Sequence, residues 1–141
     1  MQTWVYDDGG RAAAGFRGQA SDCVTRAIAI AAELDYREVY DMVNHYGATE
    51  ATGRMRSAAR LGPPMRAVRR LLGDLGWVWV PTMLVGQGCQ VHLVGGELPG
   101  GLVIARVSGH LAAVVDGVVR DTHDPSRGGS RCVYGYWQAG S

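Results

Sequence analysis

The chain has 141 residues, of which 47% are hydrophobic and 19% charged, and its formal net charge is +1. This composition is typical of a globular domain with a sizeable core, and it excludes a disordered chain or a generally basic nucleic-acid-binding protein. We therefore expect a single domain over residues 1–141.

Neither a membrane span nor a leader is predicted from the sequence. No run approaches the roughly eighteen apolar residues that a span needs. The opening MQTWVYDDGGR lacks the charged-then-apolar order of a signal peptide. Three cysteines, an odd number spread along the chain, fit a reducing compartment better than a disulfide framework. These features predict a cytoplasmic protein without a membrane partner.

The chain begins with a short strand candidate, TWVYDD, followed by a Gly/Ala/Arg loop. A helical half is then predicted over about 20–76. Its first helix covers residues 22–34, where apolar side chains recur on one face. Ser21 or Asp22 is expected to supply the N-cap.

Two further helices are predicted before the chain changes character. The second runs over about 36–46, with Gly47 as the residue that ends it. Residues 48–62 show no clear period and indicate a loop with some local helix. The third helix begins in PPM, where proline suits a first turn, and stops at Gly76.

From Trp77 the apolar period changes from 3.6 to 2, which predicts a strand half over about 77–138. Asp116-Gly117 is a strong signal for a two-residue hairpin turn. The predicted strands are WVWVPTM, GLVIARV (101–107), the hairpin HLAAVVDGVVRDTHD and CVYGYWQA. Helices first and strands second predict an α+β fold, with N-terminal helices packed on a C-terminal antiparallel sheet.

Cys23 stands where a polar, glycine-bearing loop turns into an apolar helix, in GQASDCVTRAIAIAAEL. A thiol in the first turn feels the positive end of the helix dipole and nearby free N–H groups, which favour the thiolate. The same N–H groups can stabilise a developing oxyanion. Cys23 is therefore a candidate nucleophile that needs a base and a group to orient the base.

His110 is the candidate base, because it is a polar residue that opens the apolar strand HLAAVVD. The returning strand carries Asp121 and, beyond its end, Asp124. With Asp116-Gly117 as a two-residue turn, the register places Asp121 on the same face as His110 and diagonally across from it. This geometry favours Asp121 as the acid over Asp124.

The order of these residues resembles that of the papain-like cysteine-protease superfamily, especially its small bacterial and phage-type Cys-His-Asp members. SDCVTRAIAIA is similar to their nucleophile helix, and GHLAAVVDGVVRDTHDPSR is similar to their His–Asp hairpin. The resemblance implies Cys23 as nucleophile, His110 as base and then acid, and Asp121 or Asp124 as the orienting acid. It favours Asp124 through the Asp124-Pro125 pair, and it implies Gln19 as an oxyanion-hole residue.

The remaining cysteines and histidines are read as structural. Cys89 lies in a glycine-rich connection and Cys132 begins the last predicted strand. Cys89 and His92 have a spacing that zinc could use, but no second ligand pair follows. We therefore predict neither a metal nor a cofactor. His45 and His123 are read as solvent-facing, although the register sets His123 opposite His110.

Two classes of function remain open. The first is a cysteine-dependent hydrolase or acyl-transferase that acts on peptide, isopeptide or glutamine-amide bonds of a protein or peptide substrate. The second is a non-catalytic protein- or nucleic-acid-binding module on the same fold. A run of arginines could serve nucleic acid, but a solvated helix face is the favoured interpretation. These arginines are 54, 56, 60, 66, 69 and 70.

Overall fold

A computed structural model describes residues 4–18, 20–50 and 57–140. It has the α+β architecture that the sequence predicts. The elements, in chain order, are β1 (Trp4–Tyr6), α1 (Cys23–Ala31), α2 (Tyr36–Glu50), α3 (Ala58–Leu61), α4 (Met65–Asp74), β2 (Trp77–Pro81), β3 (Leu102–Val107), β4 (His110–Val115), β5 (Val118–Asp121) and β6 (Gly135–Ala139).

Helix α1 begins at Cys23 and ends three residues earlier than its apolar pattern predicts. Asp22 occupies the N-cap position, but its side chain makes no capping hydrogen bond. It is instead turned toward other buried polar groups, described below. The prediction that Ser21 or Asp22 supplies the N-cap is confirmed in position by Asp22, although no side-chain capping hydrogen bond forms.

Helix α2 continues through Gly47 to Glu50, so the prediction that Gly47 ends it is wrong. A glycine inside a helix costs only about 1 kcal/mol, and contacts with the next helices offset that cost. The Tyr46 hydroxyl donates to Asp74 on α4 at 2.6 Å. Asn44 Oδ1 accepts the backbone N–H of Ala59 on α3 at 2.9 Å.

The strands form one six-stranded sheet in the order β1-β5-β4-β3-β6-β2. All neighbouring pairs are antiparallel except β1 with β5, which are parallel. The expected antiparallel sheet thus gains one parallel edge strand. The hydrogen-bonding edge of β5 is open to the N-terminal segment, and parallel pairing needs the long crossover that the helices provide.

Each face of the sheet carries its own apolar cluster. One cluster joins the helices to the sheet through Ile104, Leu111, Ala113 and Trp137. The other lies beneath the loops that precede β3 and follow β5. Its members include Leu93, Leu98, Val103, Ala105, Val107, Ala112, Val114, Val119 and Val133.

A disulfide between Cys89 and Cys132, at a sequence separation of 43, joins these two loops. The expectation that the cysteines form no disulfide is therefore wrong. Cys132 also does not begin the last strand. It pairs with His92 in an isolated antiparallel β-bridge, and β6 starts at Gly135. Sequence separation concealed the pair, because two loops over one sheet face meet only after folding.

Two tight turns set the position of β4. Ser108 and Gly109 connect β3 to β4, and Gly109 has a φ of 67°, which favours glycine. Asp116 and Gly117 both have positive φ, at 50° and 82°, as the predicted hairpin turn requires. The β4–β5 register then pairs Val115 with Val118, as the sequence predicts.

Among the helices that the structure describes, none is both long and apolar enough to cross a lipid bilayer.

Candidate active site

Cys23 and His110 line one cleft of about 260 Å³ between the helical half and the sheet. Cys23 is the first residue of α1 and is half-buried. It is also the free cysteine of the chain, since the other two are bonded to each other. His110 is the first residue of β4. The structure thus brings the predicted nucleophile and the predicted base together.

The His110 ring is held by Asp121 at the end of β5. Its Nε2 lies 2.6 Å from Asp121 Oδ2. An ionised carboxylate only accepts hydrogen bonds, so Nε2 carries a proton and donates it. Nδ1 is then the ring nitrogen left for the thiol of Cys23, which is the arrangement that a general base needs.

The charges of this group reinforce one another. Burial alone would raise the pKa of the Cys23 thiol, but several partners outweigh it and hold that pKa below its usual range. These partners are the His110 side chain, a backbone hydrogen bond from Leu111 and the charge of Arg26. Cys23 is therefore biased toward the nucleophilic thiolate.

The pKa of His110 moves the other way. Burial would lower it, yet hydrogen bonds and charge from Asp121 and Cys23 raise it from 6.5 to about 9. For Asp121, burial would raise the pKa, but His110, the Thr122 backbone and Arg26 together lower it. The geometry thus favours a thiolate, an imidazolium and a carboxylate in a row near neutral pH.

Asp124, the alternative acid, has a different partner. Its Oδ1 accepts the backbone N–H of Ser126 at 3.0 Å, within the turn after β5. Its side chain therefore fixes a local turn, and Asp121 is the carboxylate that contacts His110. The sheet register produces this difference, because β5 ends at Asp121.

His123 lies beside the candidate triad, with its ring 5.3 Å from the His110 ring. The ligand atoms of His110, Asp121 and His123 all lie within 4.8 Å of one another. This is the group that could hold a metal ion in the described part of the chain. A metal there would compete with the hydrogen bond between His110 and Asp121, so it would oppose the base role of His110.

Arg26 is a residue of the site that sequence reasoning missed. It is buried on α1, one turn after Cys23, and its Nη2 lies 3.2 Å from Asp121 Oδ1. Its Nη1 donates to Asp22 Oδ1. A lone charged residue inside the apolar pattern of α1 was the available signal, since buried arginines are nearly always paired.

Asp22 is 2% exposed and receives two further partners. The Tyr36 hydroxyl donates to its Oδ2 at 2.6 Å. The Nε of Arg11 lies 3.4 Å from the same oxygen. A buried chain of charges therefore runs from the N-terminal loop through Arg26 to the candidate triad, and it explains why Asp22 does not cap α1.

The start of α1 leaves its backbone N–H groups without a capping side chain from Asp22. Because the Asp22 side chain does not cap the helix, the first-turn N–H groups keep the donor capacity that an oxyanion needs. Gln19, which the resemblance implies for this role, lies outside the described residues.

The other predicted candidates lie away from this cleft. Cys89 is bonded to Cys132, and His92 contacts Glu97 at 3.2 Å. Of the arginine run, Arg54 and Arg56 lie outside the described residues. Arg66 and Arg69 are exposed on α4, as expected for a solvated helix face.

No family model, curated protein or solved structure matches this chain.

Proposed function

We propose that this protein is a cysteine-dependent hydrolase or acyl-transferase that acts on peptide, isopeptide or glutamine-amide bonds. The observation that carries the proposal is the contact series from Cys23 through His110 to Asp121, in which His110 Nε2 lies 2.6 Å from Asp121 Oδ2. The order of these residues in the chain resembles that of the papain-like superfamily, and the α+β arrangement of helices and sheet is consistent with it.

In the proposed reaction the Cys23 thiolate attacks the carbonyl carbon of the substrate. The developing oxyanion is stabilised by N–H groups at the start of α1. His110 then gives its proton to the leaving amine, and a thioester on Cys23 remains. Water or an acceptor amine, deprotonated by His110, resolves the thioester, and the thiolate is restored. Asp121 keeps the ring oriented and stabilises its positive charge.

The proposal is tested by the rate at which iodoacetamide labels Cys23, followed by intact mass. Because the other cysteines are disulfide-bonded, one added group reports Cys23. We expect the rate at pH 7 to exceed that of free cysteine and to fall about tenfold or more in His110→Ala. His45→Ala, which replaces an exposed histidine on α2, is the matched control.

The non-catalytic binding module is the competing function. It predicts that the labelling rate of Cys23 is that of an ordinary half-buried thiol and is the same in His110→Ala. That result would contradict the hydrolase proposal, because an idle thiol needs no base.

The cellular location is proposed separately from the chemistry. The sequence predicts a cytoplasmic protein, whereas the Cys89–Cys132 disulfide favours an oxidising compartment. Counting free thiols in protein purified under native conditions distinguishes the two, with one free thiol expected for the oxidised form and three for the reduced form.

A further inference from the structure

The cleft that contains Cys23 has an uneven distribution of charge. Its helical wall is apolar and includes Leu61, Pro63 and Met65. The opposite wall is formed by the β3–β4 hairpin, where Arg106 precedes the turn that leads to His110. Among the described residues, the ionisable side chains that line this cleft are Cys23, His110 and Arg106. The lining contains no carboxylate.

Arg106 differs from the other arginines near the site. Arg26 is paired with two aspartates, and Arg131 donates to backbone carbonyls of Pro125 and Ser108. Arg106 is half-buried, yet within the described residues its guanidinium has no carboxylate or carbonyl partner. A partly desolvated guanidinium without a partner favours binding of an anion from outside the protein.

The position of Arg106 relative to the nucleophile follows from the sheet register. Arg106 is paired directly with Leu111 across β3 and β4, and such pairs have Cα atoms about 4.5–5.5 Å apart. The backbone of Leu111 in turn hydrogen-bonds the Cys23 thiol. Arg106 therefore lies on β3, beside the strand whose Leu111 contacts the Cys23 sulfur. Its long side chain is within reach of a substrate group next to the scissile bond.

The remaining charges do not neutralise Arg106. The thiolate of Cys23 and the imidazolium of His110 balance each other, and the carboxylates of Asp22 and Asp121 are balanced by Arg26 and Arg11. The cleft thus keeps one positive charge, that of Arg106, which attracts an anionic substrate.

We infer that Arg106 binds a carboxylate of the substrate next to the bond that Cys23 attacks, so that the acyl donor is an acidic peptide. This inference rests on the proposed function and adds the substrate class. The carboxylate can come from an acidic side chain or from a chain terminus, which present the same chemistry to a guanidinium.

Three chloroacetyl probes distinguish these sources. They are N-chloroacetyl-glutamate α-amide, N-chloroacetyl-glutamine with a free α-carboxylate, and neutral N-chloroacetyl-glutamine amide. In each case the Cys23 thiolate displaces chloride and forms a thioether. We expect at least one anionic probe to label Cys23 about tenfold faster than the neutral probe, and the faster one identifies the source of the carboxylate.

The variants test whether Arg106 causes this preference. Arg106→Gln should lower the ratio of anionic to neutral rates to near one, Arg106→Lys should keep part of it, and Arg69→Gln on exposed α4 should not change it. Circular dichroism and thermal unfolding verify that each variant is folded. An equal ratio in the wild-type protein and in Arg106→Gln overturns the inference while a fast neutral-probe rate still supports the proposed function. A neutral-probe rate no faster than that of free cysteine contradicts the proposed function instead.

Discussion

Arg26 and Asp121 are 95 residues apart in the sequence, and Arg26 Nη2 lies 3.2 Å from Asp121 Oδ1 in the structure. The same oxygen accepts the Thr122 backbone N–H at 2.7 Å, while Oδ2 faces His110. Both oxygens of the carboxylate are therefore held, and the helix that begins at Cys23 also holds the carboxylate that contacts His110. Arg26 thus links α1, which begins at Cys23, to the end of β5.

Replacing Arg26 tests this coupling. Arg26→Met removes the cation that the buried carboxylates of Asp22 and Asp121 share, and we expect it to lower the free energy of unfolding by about 3–5 kcal/mol. Arg26→Lys keeps the charge but cannot span both aspartates, so a smaller loss is expected. Urea unfolding measures both variants.

The control for Arg26 is Arg120→Met, because Arg120 is half-buried and its contact with Asp7 is longer, at 3.7 Å, and more exposed than those of Arg26. Its effect should be below about 1 kcal/mol. Equal losses for Arg26→Met and Arg120→Met would contradict a special role for the buried network. The pH profile of Cys23 labelling in Arg26→Lys should also shift, which a purely structural role would not produce.

The two candidate acids are separated by conservative amide variants. Asp121→Asn removes the charge that stabilises the imidazolium and favours the wrong tautomer. We expect it to slow iodoacetamide labelling of Cys23 at pH 7 by about tenfold or more. Asp124→Asn alters only the turn that holds Ser126, so its labelling rate should stay within about twofold of wild type. The reverse ranking would show that Asp124 is the functional acid.

The pH dependence of labelling should report the ion pair. The thiolate fraction rises through the lowered pKa of Cys23, and therefore at a lower pH than the ordinary value of 9.0 would give. We expect a plateau that ends as the pH passes about 9, where His110 loses its proton. In His110→Ala the rise should move toward the ordinary thiol range. Identical profiles in the two proteins would mean that the thiol and the ring do not interact.

The free energy of unfolding should depend on pH more strongly in Cys23→Ser than in the wild-type protein. The pKa of His110 is raised from 6.5 to about 9, so folded protein binds more protons than unfolded protein in that window. Its stabilisation is complete below 6.5 and is lost as the pH rises through the folded value. Cys23 has the opposite sign, because its lowered pKa makes stability increase with pH up to about 9.0.

The two contributions therefore offset each other in the wild-type protein, whereas in Cys23→Ser only that of His110 remains, and it is smaller because the Cys23 thiolate no longer raises the pKa of His110. We expect the unfolding free energy of Cys23→Ser to fall by about 1–2 kcal/mol between pH 6.5 and 9. The wild-type protein should change less over the same range. Chemical denaturation at fixed pH steps measures both slopes, and equal slopes would argue against a thiolate–imidazolium pair.

The disulfide should stabilise the loops that precede β3 and follow β5 without changing the reactivity of Cys23. Cys89 and Cys132 have a sequence separation of 43, for which restriction of the unfolded chain contributes up to about 4 kcal/mol. The double variant Cys89→Ser/Cys132→Ser should lose a substantial part of this value and melt at a lower temperature. Its Cys23 labelling rate should match wild type, since both loops cover the sheet face away from the helices.

The sequence alone determined those features that depend on local pattern. Apolar periods of 3.6 and then 2 predicted the helices before the strands, and the Asp116-Gly117 turn predicted the β4–β5 register. Cys23 at a helix start and His110 at a strand start were visible because each is a polar residue at the border of an apolar run. The contact between His110 and Asp121 followed from the register, since a two-residue turn leaves little freedom in pairing.

Only the tertiary structure decided the relationships that join distant segments. Helix α2 passes Gly47 because Asp74 and Ala59 hold its second half, which no local signal indicates. Cys89 bonds to Cys132 because two loops pack over the same sheet face. Arg26 contacts Asp121, and Arg106 lines the cleft, because the order of the strands places β3 and β5 on either side of β4. Such contacts depend on where whole elements pack, and the free energy of that packing is a sum over the entire core that no short stretch of sequence contains.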